Sequence, residues 1–439
     1  MSTDNLSLLR AGKLHGIKRL DLSCDLTTFP PEIFELADSL EVLNLSQNQL
    51  SSLPDDLPHL SKLRVLFCSE NQFRHVPNVL GKCPNLSMIG FKSNQIETID
   101  DEAFPLALRW LILTDNRISE LPATLGRCVQ LQKLMLSGNQ LAQLPDEMAL
   151  CVNLELVRLA ANRFETLPDW LFALPRLCWL AFAGNPCSPT PPSDQPSITK
   201  INWSDIELQE KLGEGASGII YKGLWKSNSD AGAKPVAVKI FKGAVTSDGL
   251  PANEMAACLA AGSHEHLIEI LGEIVQHPAG LHGLVMSLIS PDFINLAGPP
   301  SLDSCTRDLY PSDRTFALSS VIQIAKSLAS VALQLHQRGI FHGDFYAHNV
   351  LWNQQDVCLL GDFGAASFYD QAGRNAEAIP RLEVRAFGCL LEELLSRAVV
   401  REDEKATAQK VANLQTSCLA PDVNVRPDFS KILAALEKI

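Results

Sequence analysis

A short pattern that recurs along the first 185 residues constrains the fold of this chain more than any other feature. The pattern is L-x-x-L-x-L-x-x-N-x-L, and its copies begin 23 residues apart six times and 22 residues apart once. The copies begin at Ile17, Leu40, Leu63, Leu86, Leu108, Leu131, Leu154 and Leu177. A single copy is too short to bury its own leucines, whereas stacked copies can share one continuous core. The period therefore predicts a solenoid over residues 1–185.

The repeat is identified as a leucine-rich repeat, which implies an α/β solenoid. Its ninth position holds asparagine in every copy except the first, where Asp25 stands. A buried amide there can pair with backbone groups where the chain leaves the strand. These asparagines are Asn48, Asn71, Asn94, Asn116, Asn139, Asn162 and Asn185. A Leu-Pro pair or a close variant follows the asparagine in most copies, and the proline predicts the end of the strand segment.

Apolar side chains occupy strand positions that would face outward on the concave side of the solenoid. They include Val42, Val65, Phe67, Met88, Trp110, Ile112, Met135, Leu156 and Trp179. An apolar stripe of this length should not remain exposed to water. We favour a protein or peptide ligand bound there, which is the usual use of a solenoid's inner surface. Packing against the rest of the same chain and simple strand propensity are the alternatives.

Composition limits the possible partners and the compartment. A length of 439 residues suggests two or three domains, and the net charge of −13 argues against nucleic acid as a partner. We expect no membrane span and a cytoplasmic location, because no run of 18 apolar residues and no apolar signal core are found. The 12 cysteines include no C-x-x-C pair. We expect buried thiols, since Cys83, Cys128 and Cys151 share one inward-facing repeat position.

A proline-rich stretch separates the repeats from a second region. It reads NPCSPTPPSDQPS from Asn185 to Ser197, and such a composition predicts an extended, stiff spacer. We therefore divide the chain into repeats over residues 1–185, a linker over 186–202 and a second domain over 203–439.

The stretch from Phe341 to Ser367 contains the residues with the clearest chemistry. It holds two aspartates in loops, Asp344 and Asp362, with Asn349 between them. Phosphoryl transfer uses this set of groups, because one carboxylate orients the attacking hydroxyl while the other carboxylate and the amide hold Mg²⁺ on the nucleotide phosphates.

Two motifs further upstream fit the same chemistry. The stretch LGEGASGIIYKG contains G-x-G-x-x-G, and the apolar residues after it indicate a second strand. A β-hairpin over phosphates therefore fits better than the strand-to-helix turn of a dinucleotide fold. The strand Val236–Lys239 then ends in a lysine, and a helix that begins at Pro251 and ends at Gly262 carries Glu254.

In this order, the motifs resemble those of the protein-kinase superfamily: a glycine loop, V-A-V-K, H-x-D-x-x-x-x-N, D-F-G and a final R-P-x-F at Arg426–Phe429. The resemblance covers about residues 203–439 and implies a bilobal α+β fold, ATP and Mg²⁺ as cofactors, and a protein substrate.

The resemblance also implies roles for individual residues. Asp344 would be the catalytic base, Lys239 would hold phosphates and pair with Glu254, and Asn349 and Asp362 would bind Mg²⁺. His342 and Phe363 would be buried packing residues. The nucleotide-binding positions would be Leu212, Gly213, Gly215, Gly218, Ile220, Ala237, Lys239, Met286 and Leu351.

Several positions depart from the kinase pattern. Gly343 replaces the arginine of H-R-D, so phosphorylation of the activation segment should not be the on-switch. Tyr346 stands where serine/threonine kinases place a lysine, so the acceptor residue cannot be read from this position. Glu383 takes the place of an aspartate, and Arg426 is expected to lack its glutamate partner because A-P-E is absent.

Three hypotheses for function remain at this point. The stretch HGDFYAHNVL also resembles the loop of aminoglycoside and choline kinases, which phosphorylate small molecules. A catalytically dead scaffold acting through the repeats is the other alternative. We predict a leucine-rich-repeat protein kinase of serine/threonine type, because the full glycine loop, V-A-V-K and R-P-x-F belong to protein kinases.

Overall fold

The chain forms two compact units in the computed structural model, which describes residues 2–189, 199–226, 232–243, 245–355 and 357–439. One unit comprises Met1–Arg176 and Asn185–Cys187, and the other comprises Leu177–Gly184 and Ser188–Ile439. Most of the predicted proline-rich linker, residues 190–198, lies outside the described residues.

The first unit is built on short parallel strands, one for each repeat. They are β1 (Arg19–Asp21), β2 (Val42–Asn44), β3 (Val65–Phe67), β4 (Met88–Gly90), β5 (Trp110–Ile112), β6 (Lys133–Met135) and β7 (Leu156–Arg158). Helix α1 (Ser2–Arg10) precedes them and helix α2 (Asp169–Ala173) follows them. The strand register places the middle residue of each strand beside the middle residue of the next strand, as Leu43 beside Leu66. These middle residues are buried in every strand, so the predicted continuous core is confirmed.

The repeat asparagines form a ladder of hydrogen bonds. Asn116 Nδ2 donates to the carbonyl oxygens of Phe91 (2.9 Å) and Leu113 (3.0 Å), and its Oδ1 accepts from the Ile96 N–H (3.0 Å). Each amide therefore joins its own repeat to the one before it and satisfies buried backbone groups, as predicted. Short 3₁₀ turns or α2 follow directly after Pro122, Pro145 and Pro168.

The second unit begins with strand β8 (Trp179–Ala181) and contains a six-stranded sheet. The strands of this sheet are β9 (Lys200–Asn202), β10 (Ile206–Glu214), β11 (Gly218–Lys226), β12 (Ala233–Phe241), β13 (Ile270–Val275) and β14 (Gly283–Ser287). Their order is β10-β11-β12-β14-β13-β9, and β9 pairs with β13 although its residues fall in the range assigned to the linker. Helix α3 (Pro251–Ala261) ends at Gly262, where φ is 69°.

The rest of the second unit is mainly helical. Its helices are α4 (Leu318–Gln337), α5 (Ala378–Leu395), α6 (Lys405–Cys418) and α7 (Phe429–Glu437). Its short strands are β15 (Ile294–Asn295), β16 (Phe316–Ala317), β17 (Ile340–Phe341), β18 (Val350–Trp352), β19 (Cys358–Leu360), β20 (Ser367–Phe368) and β21 (Ala398–Val399). The rings of Phe345, Phe387 and Phe429 pack together and connect the loop after β17 to α5 and α7.

Within the described residues, helix α4 is the one helix long and apolar enough to cross a membrane by length and composition. More than half of its apolar window is buried inside the unit. A buried core helix passes the same test, so this finding is weak support for a membrane span.

Candidate active site

The glycine-rich stretch forms the tip of a β-hairpin, as predicted. Strands β10 and β11 are antiparallel, with Gly213 opposite Ile220, and the Gly215 N–H donates to the Gly218 carbonyl oxygen (2.9 Å). A Cβ atom at Gly218 would lie 2.6 Å from the carbonyl oxygen of Ile240, so this glycine lets β11 approach β12. A Cβ atom built at Gly213 or Gly215 would meet open space, so no side chain blocks the approach of a ligand to the backbone there.

Lys239 and Glu254 form a buried ion pair beneath this hairpin. Lys239 lies on β12 opposite Ile220, and its Nζ contacts Glu254 Oε1 of helix α3. The side chains are only 14% and 2% exposed. Burial lowers the pKa of Lys239, but the carboxylates of Glu254 and Asp362 more than offset that effect, so its pKa is raised. The ammonium group is therefore charged at neutral pH.

Asp344 and Asn349 are joined within one loop. Asn349 Nδ2 donates to Asp344 Oδ2 (2.7 Å) and to the Asp344 carbonyl oxygen (2.9 Å). His342 is fully buried; its Nδ1 accepts from the Asp344 N–H (3.3 Å) and its Nε2 donates to the carbonyl oxygen of Gly361 (3.0 Å). These bonds hold the loop after β17 against the residue that precedes Asp362.

Asp362 sits in a tight turn beside the glycine hairpin. Its φ is 51°, and its Oδ1 accepts from the Gly364 N–H (3.1 Å). A cavity of about 180 Å³ lies between this turn and the hairpin. The cavity is lined by Gly215, Ala216, Ser217, Gly218, Ile220, Lys239, Thr246, Asp248, Asp362 and Gly364. The structure therefore brings residues from three separate motifs to one pocket.

Other residues expected to bind nucleotide lie outside this lining. Ala237 on β12 is directly opposite Met286 on β14, and Leu351 lies on β18. Leu212 and Gly213 lie on β10, and Leu212 is 50% exposed. Their predicted contacts with a nucleotide thus remain predictions.

Glu383 supports the loop from helix α5. Its Oε1 accepts from the Gly343 N–H (2.9 Å) and its Oε2 accepts from His336 Nε2 (2.7 Å). Burial raises the pKa of this carboxyl, but the hydrogen bond and charge of His336 and the bond from Gly343 lower it overall. Glu383 therefore stays ionised and fixes the backbone beside Asp344.

Sequence reasoning missed two carboxylates near the site. Asp308 Oδ2 accepts from the His348 N–H (2.9 Å) and its Oδ1 accepts from His348 Nδ1 (2.7 Å). Asp248 lines the cavity in a turn organised by Thr246, whose Oγ1 accepts from the Asp248 N–H (3.2 Å). Asp308 carries no motif signal, whereas the T-S-D-G turn before α3 offers a weak one.

The structure adds to one predicted detail and contradicts another. Arg426 is buried and donates to the carbonyl oxygens of Ala420 (2.8 Å) and Arg381 (3.1 Å), so backbone groups bind the guanidinium that was expected to lack its glutamate. Trp179 was predicted to face a ligand. It is instead 2% exposed and its ring is covered by that of Tyr346, so it cannot contribute to a ligand surface.

The fold and the site together define a class of protein. A strand-rich part with a glycine hairpin and a Lys–Glu pair, followed by a helical part with an Asp–Asn loop and a second aspartate, is the architecture of protein kinases. Residues 206–384 match the family model described as protein tyrosine and serine/threonine kinase. Residues 15–73, 39–96 and 84–141 match the leucine rich repeat model. The chain carries leucine-rich repeats followed by a protein kinase domain.

Similar curated proteins include kinases of both acceptor types. The chain is 24% identical over 285 residues to the probable serine/threonine-protein kinase gdt4 of Dictyostelium discoideum, over 55% of this chain and 16% of the relative. It is 23% identical over 286 residues to the serine/threonine-protein kinase STY46 of Arabidopsis thaliana, which covers 56% of this chain and 46% of the relative. It is 25% identical over 193 residues to the tyrosine-protein kinase abl-1 of Caenorhabditis elegans, which covers 43% of this chain and 14% of the relative. The chain spans less than half the length of each relative.

Proposed function

We propose that this chain is an ATP- and Mg²⁺-dependent protein kinase that phosphorylates serine or threonine hydroxyls. The arrangement that carries the proposal has three parts: Lys239 paired with Glu254, Asp344 bonded to Asn349, and Asp362 in the wall of the cavity that Lys239 also lines. Catalysis of phosphoryl transfer consists largely of positioning and charge stabilisation. A chain that pre-forms these pairs is suited to that task.

The residues present fit a magnesium-bound nucleotide. The open backbone at Gly213 and Gly215 leaves space for phosphates under the hairpin. Both donor contacts of Asn349 Nδ2 go to Asp344, which leaves the amide oxygen of Asn349 as its cation ligand. Carboxylate and amide oxygens suit Mg²⁺, which takes its other ligands from water and phosphate.

Each side chain then has a distinct part in the reaction. When bound, Mg²⁺ neutralises charge on the phosphates. Lys239 holds phosphate oxygens, and Glu254 keeps the ammonium group of Lys239 oriented toward the cavity. The Asp344 carboxylate, oriented by Asn349, accepts the hydrogen bond of the attacking hydroxyl.

We further propose that the leucine-rich repeats bind the substrate or a regulatory protein. The partly exposed members of the apolar stripe are Val42, Phe67, Trp110 and Ile112, while the others are buried, namely Val65, Met88, Met135, Leu156 and Trp179. Lys133 lies beside Trp110 in the register, with its Nζ 4.3 Å from the ring centroid. Aromatic side chains flanked by a cation are typical of protein recognition surfaces.

A transfer assay tests the proposed function. The full chain is incubated with γ-labelled ATP, Mg²⁺ and a panel of proteins, and labelled residues are identified by acid hydrolysis. We expect phosphoserine or phosphothreonine. Asp362→Asn and Lys239→Met should each lower the rate about a hundredfold or more, because each removes a charge placed for the transition state.

The matched control is Asp403→Asn, which makes the same change at a surface carboxylate. It should label substrates at the wild-type rate, and both Asp403→Asn and Asp362→Asn should keep the unfolding midpoint of the wild-type chain within a few degrees. Lys239→Met leaves Glu254 buried without its partner and should unfold at a lower temperature. Wild-type activity in Asp362→Asn would contradict the assignment of that residue. Label on a sugar, choline or aminoglycoside but on no protein would replace the proposal with a small-molecule kinase.

A further inference from the structure

The segment Leu177–Gly184 belongs to the same compact unit as the kinase domain. It begins the eighth repeat copy, and its strand β8 contacts the loop that carries Asp344. The Trp179 indole stacks on the Tyr346 ring, with centroids 4.1 Å apart and planes 8° from parallel. Its Nε1 also donates to the carbonyl oxygen of Phe345 (3.4 Å). Trp179 therefore covers the two residues that follow the aspartate.

The residue before Asp344 is adapted to the same segment. Gly343 has a φ of 74°, and a Cβ atom there would lie 2.5 Å from the carbonyl oxygen of Leu180 and 2.7 Å from that of Ala365. A side chain at this position would push the loop away from β8. The arginine of the usual H-R-D is therefore incompatible with the presence of this segment.

The segment also holds the chain that follows Asp362. The Phe182 N–H donates to Ser367 Oγ (3.0 Å), and Ser367 is fully buried. Strand β20, which contains Ser367, pairs with Phe341 of β17 immediately before His342. One segment thus contacts both loops that carry the acidic residues of the site.

We propose that Leu177–Gly184 is a built-in positioning element of the kinase, with Trp179 as its main positioning residue. In kinases with H-R-D, the arginine can bind a phosphorylated activation segment and so order it. Here β8 makes direct contacts with both loops and replaces that device. The inference rests on the proposed function of the site.

The geometry of the active site indicates that the segment Leu177–Gly184 supports the catalytic loops and does not block them. With β8 in contact, Lys239 is paired with Glu254 and Asn349 is bonded to Asp344. Contact with the segment therefore coexists with an assembled site. Loss of the stack would free the backbone beside Asp344, and small misplacements of a catalytic group can cost up to about a hundredfold in rate.

Kinetics of Trp179→Ala in the full chain test this proposal. We expect kcat to fall about ten- to a hundredfold while KM for ATP changes less than about twofold, because the nucleotide cavity is not touched. Trp179→Phe keeps a stacking ring and should recover most of the activity. Trp170→Ala removes the same kind of side chain from helix α2 in the other unit and should match the wild type.

Hydrogen exchange supplies a second readout that needs no activity. The amides of Gly343 and Asp344 should exchange faster in Trp179→Ala than in Trp170→Ala. If Trp179→Ala does not fold, Ser367→Ala removes the acceptor of the Phe182 N–H more gently and should show the same split between kcat and KM.

The outcomes separate this inference from the proposed function. Unchanged or increased kcat in Trp179→Ala, or unchanged exchange of those amides, would overturn the positioning role. A wild-type chain that transfers phosphate to no acceptor would instead overturn the kinase assignment, and the exchange experiment would still decide whether β8 holds the loop.

Discussion

His348, four residues after Asp344, shows how one buried contact shapes this site. The Asp308 carboxylate accepts hydrogen bonds from both the backbone N–H and the ring Nδ1 of His348. Burial lowers the pKa of His348, but the bond to Asp308 and the charges of Asp344 and Asp362 raise it above 6.5 overall. The protonated ring therefore gains stability from its surroundings in the folded chain.

The sign of this shift predicts a pH dependence. A histidine whose pKa is raised on folding contributes stability below its unfolded pKa of 6.5, and that contribution is lost as pH rises through the folded pKa. We expect the unfolding midpoint of the wild type to exceed that of His348→Gln at pH 6, and the difference to shrink at higher pH. Thermal unfolding of both proteins at several pH values measures it. A constant difference would mean that protonation of His348 is not involved.

At this scale, spacing within a motif decided what sequence could reveal. Asp344, Asn349 and Asp362 lie within one stretch of 27 residues, Phe341 to Ser367, and follow one another in a recognisable order. Asp308 is 40 residues from His348 in sequence and lies in a stretch without periodicity. Such a contact exists only once the chain has folded, so sequence reasoning could not find it.

At the scale of elements, the asparagine ladder explains how the repeats hold together. Each buried amide joins backbone groups of adjacent repeats, and no apolar residue could satisfy them. Asparagine also recurs at exposed positions: Asn153 donates to the Val129 carbonyl oxygen (2.8 Å) at the surface. The two kinds of asparagine differ in how much water can replace their bonds.

We predict that Asn116→Ala destabilises the repeats far more than Asn153→Ala. The first change leaves the Ile96 N–H and the Phe91 and Leu113 carbonyl groups without this partner inside the core. That should cost about 2 to 5 kcal/mol, against less than about 0.5 kcal/mol at the exposed site. Urea unfolding followed by circular dichroism measures both. Equal losses would show that burial of the amide does not matter.

Elements with strong boundary residues were predicted well. Pro251 and Gly262 bracket helix α3, and Gly262 has a φ of 69°. The strand β9 was missed because its three residues, Lys200–Asn202, follow a proline-rich stretch and acquire a partner only in β13. Short strands depend on their neighbours for hydrogen bonds, so their own sequence says little.

At the scale of the whole chain, sequence also fails to show which compact unit a segment belongs to. Leucine periodicity assigned Trp179 to the repeats, and the pattern itself was correct because β8 is a strand. The pattern could not show that this strand belongs to the unit of the kinase domain. Periodicity reports which side of a strand is apolar, whereas the partner of that side is set by tertiary structure.

The thiols allow one prediction about the whole molecule. All 12 cysteines are free, and nine are buried while Cys24, Cys187 and Cys258 are partly exposed. Burial raises the pKa of Cys83 and Cys151 to about 11, and the thiolate is the reactive form. A native chain at pH 7 should therefore react slowly with a disulfide reagent, and at no more than three sites. Protein denatured without reductant should titrate twelve thiols, since no cysteine is paired. Fewer than twelve would reveal a disulfide, and more than three fast-reacting thiols in the native chain would show that a core containing buried cysteines opens to solvent.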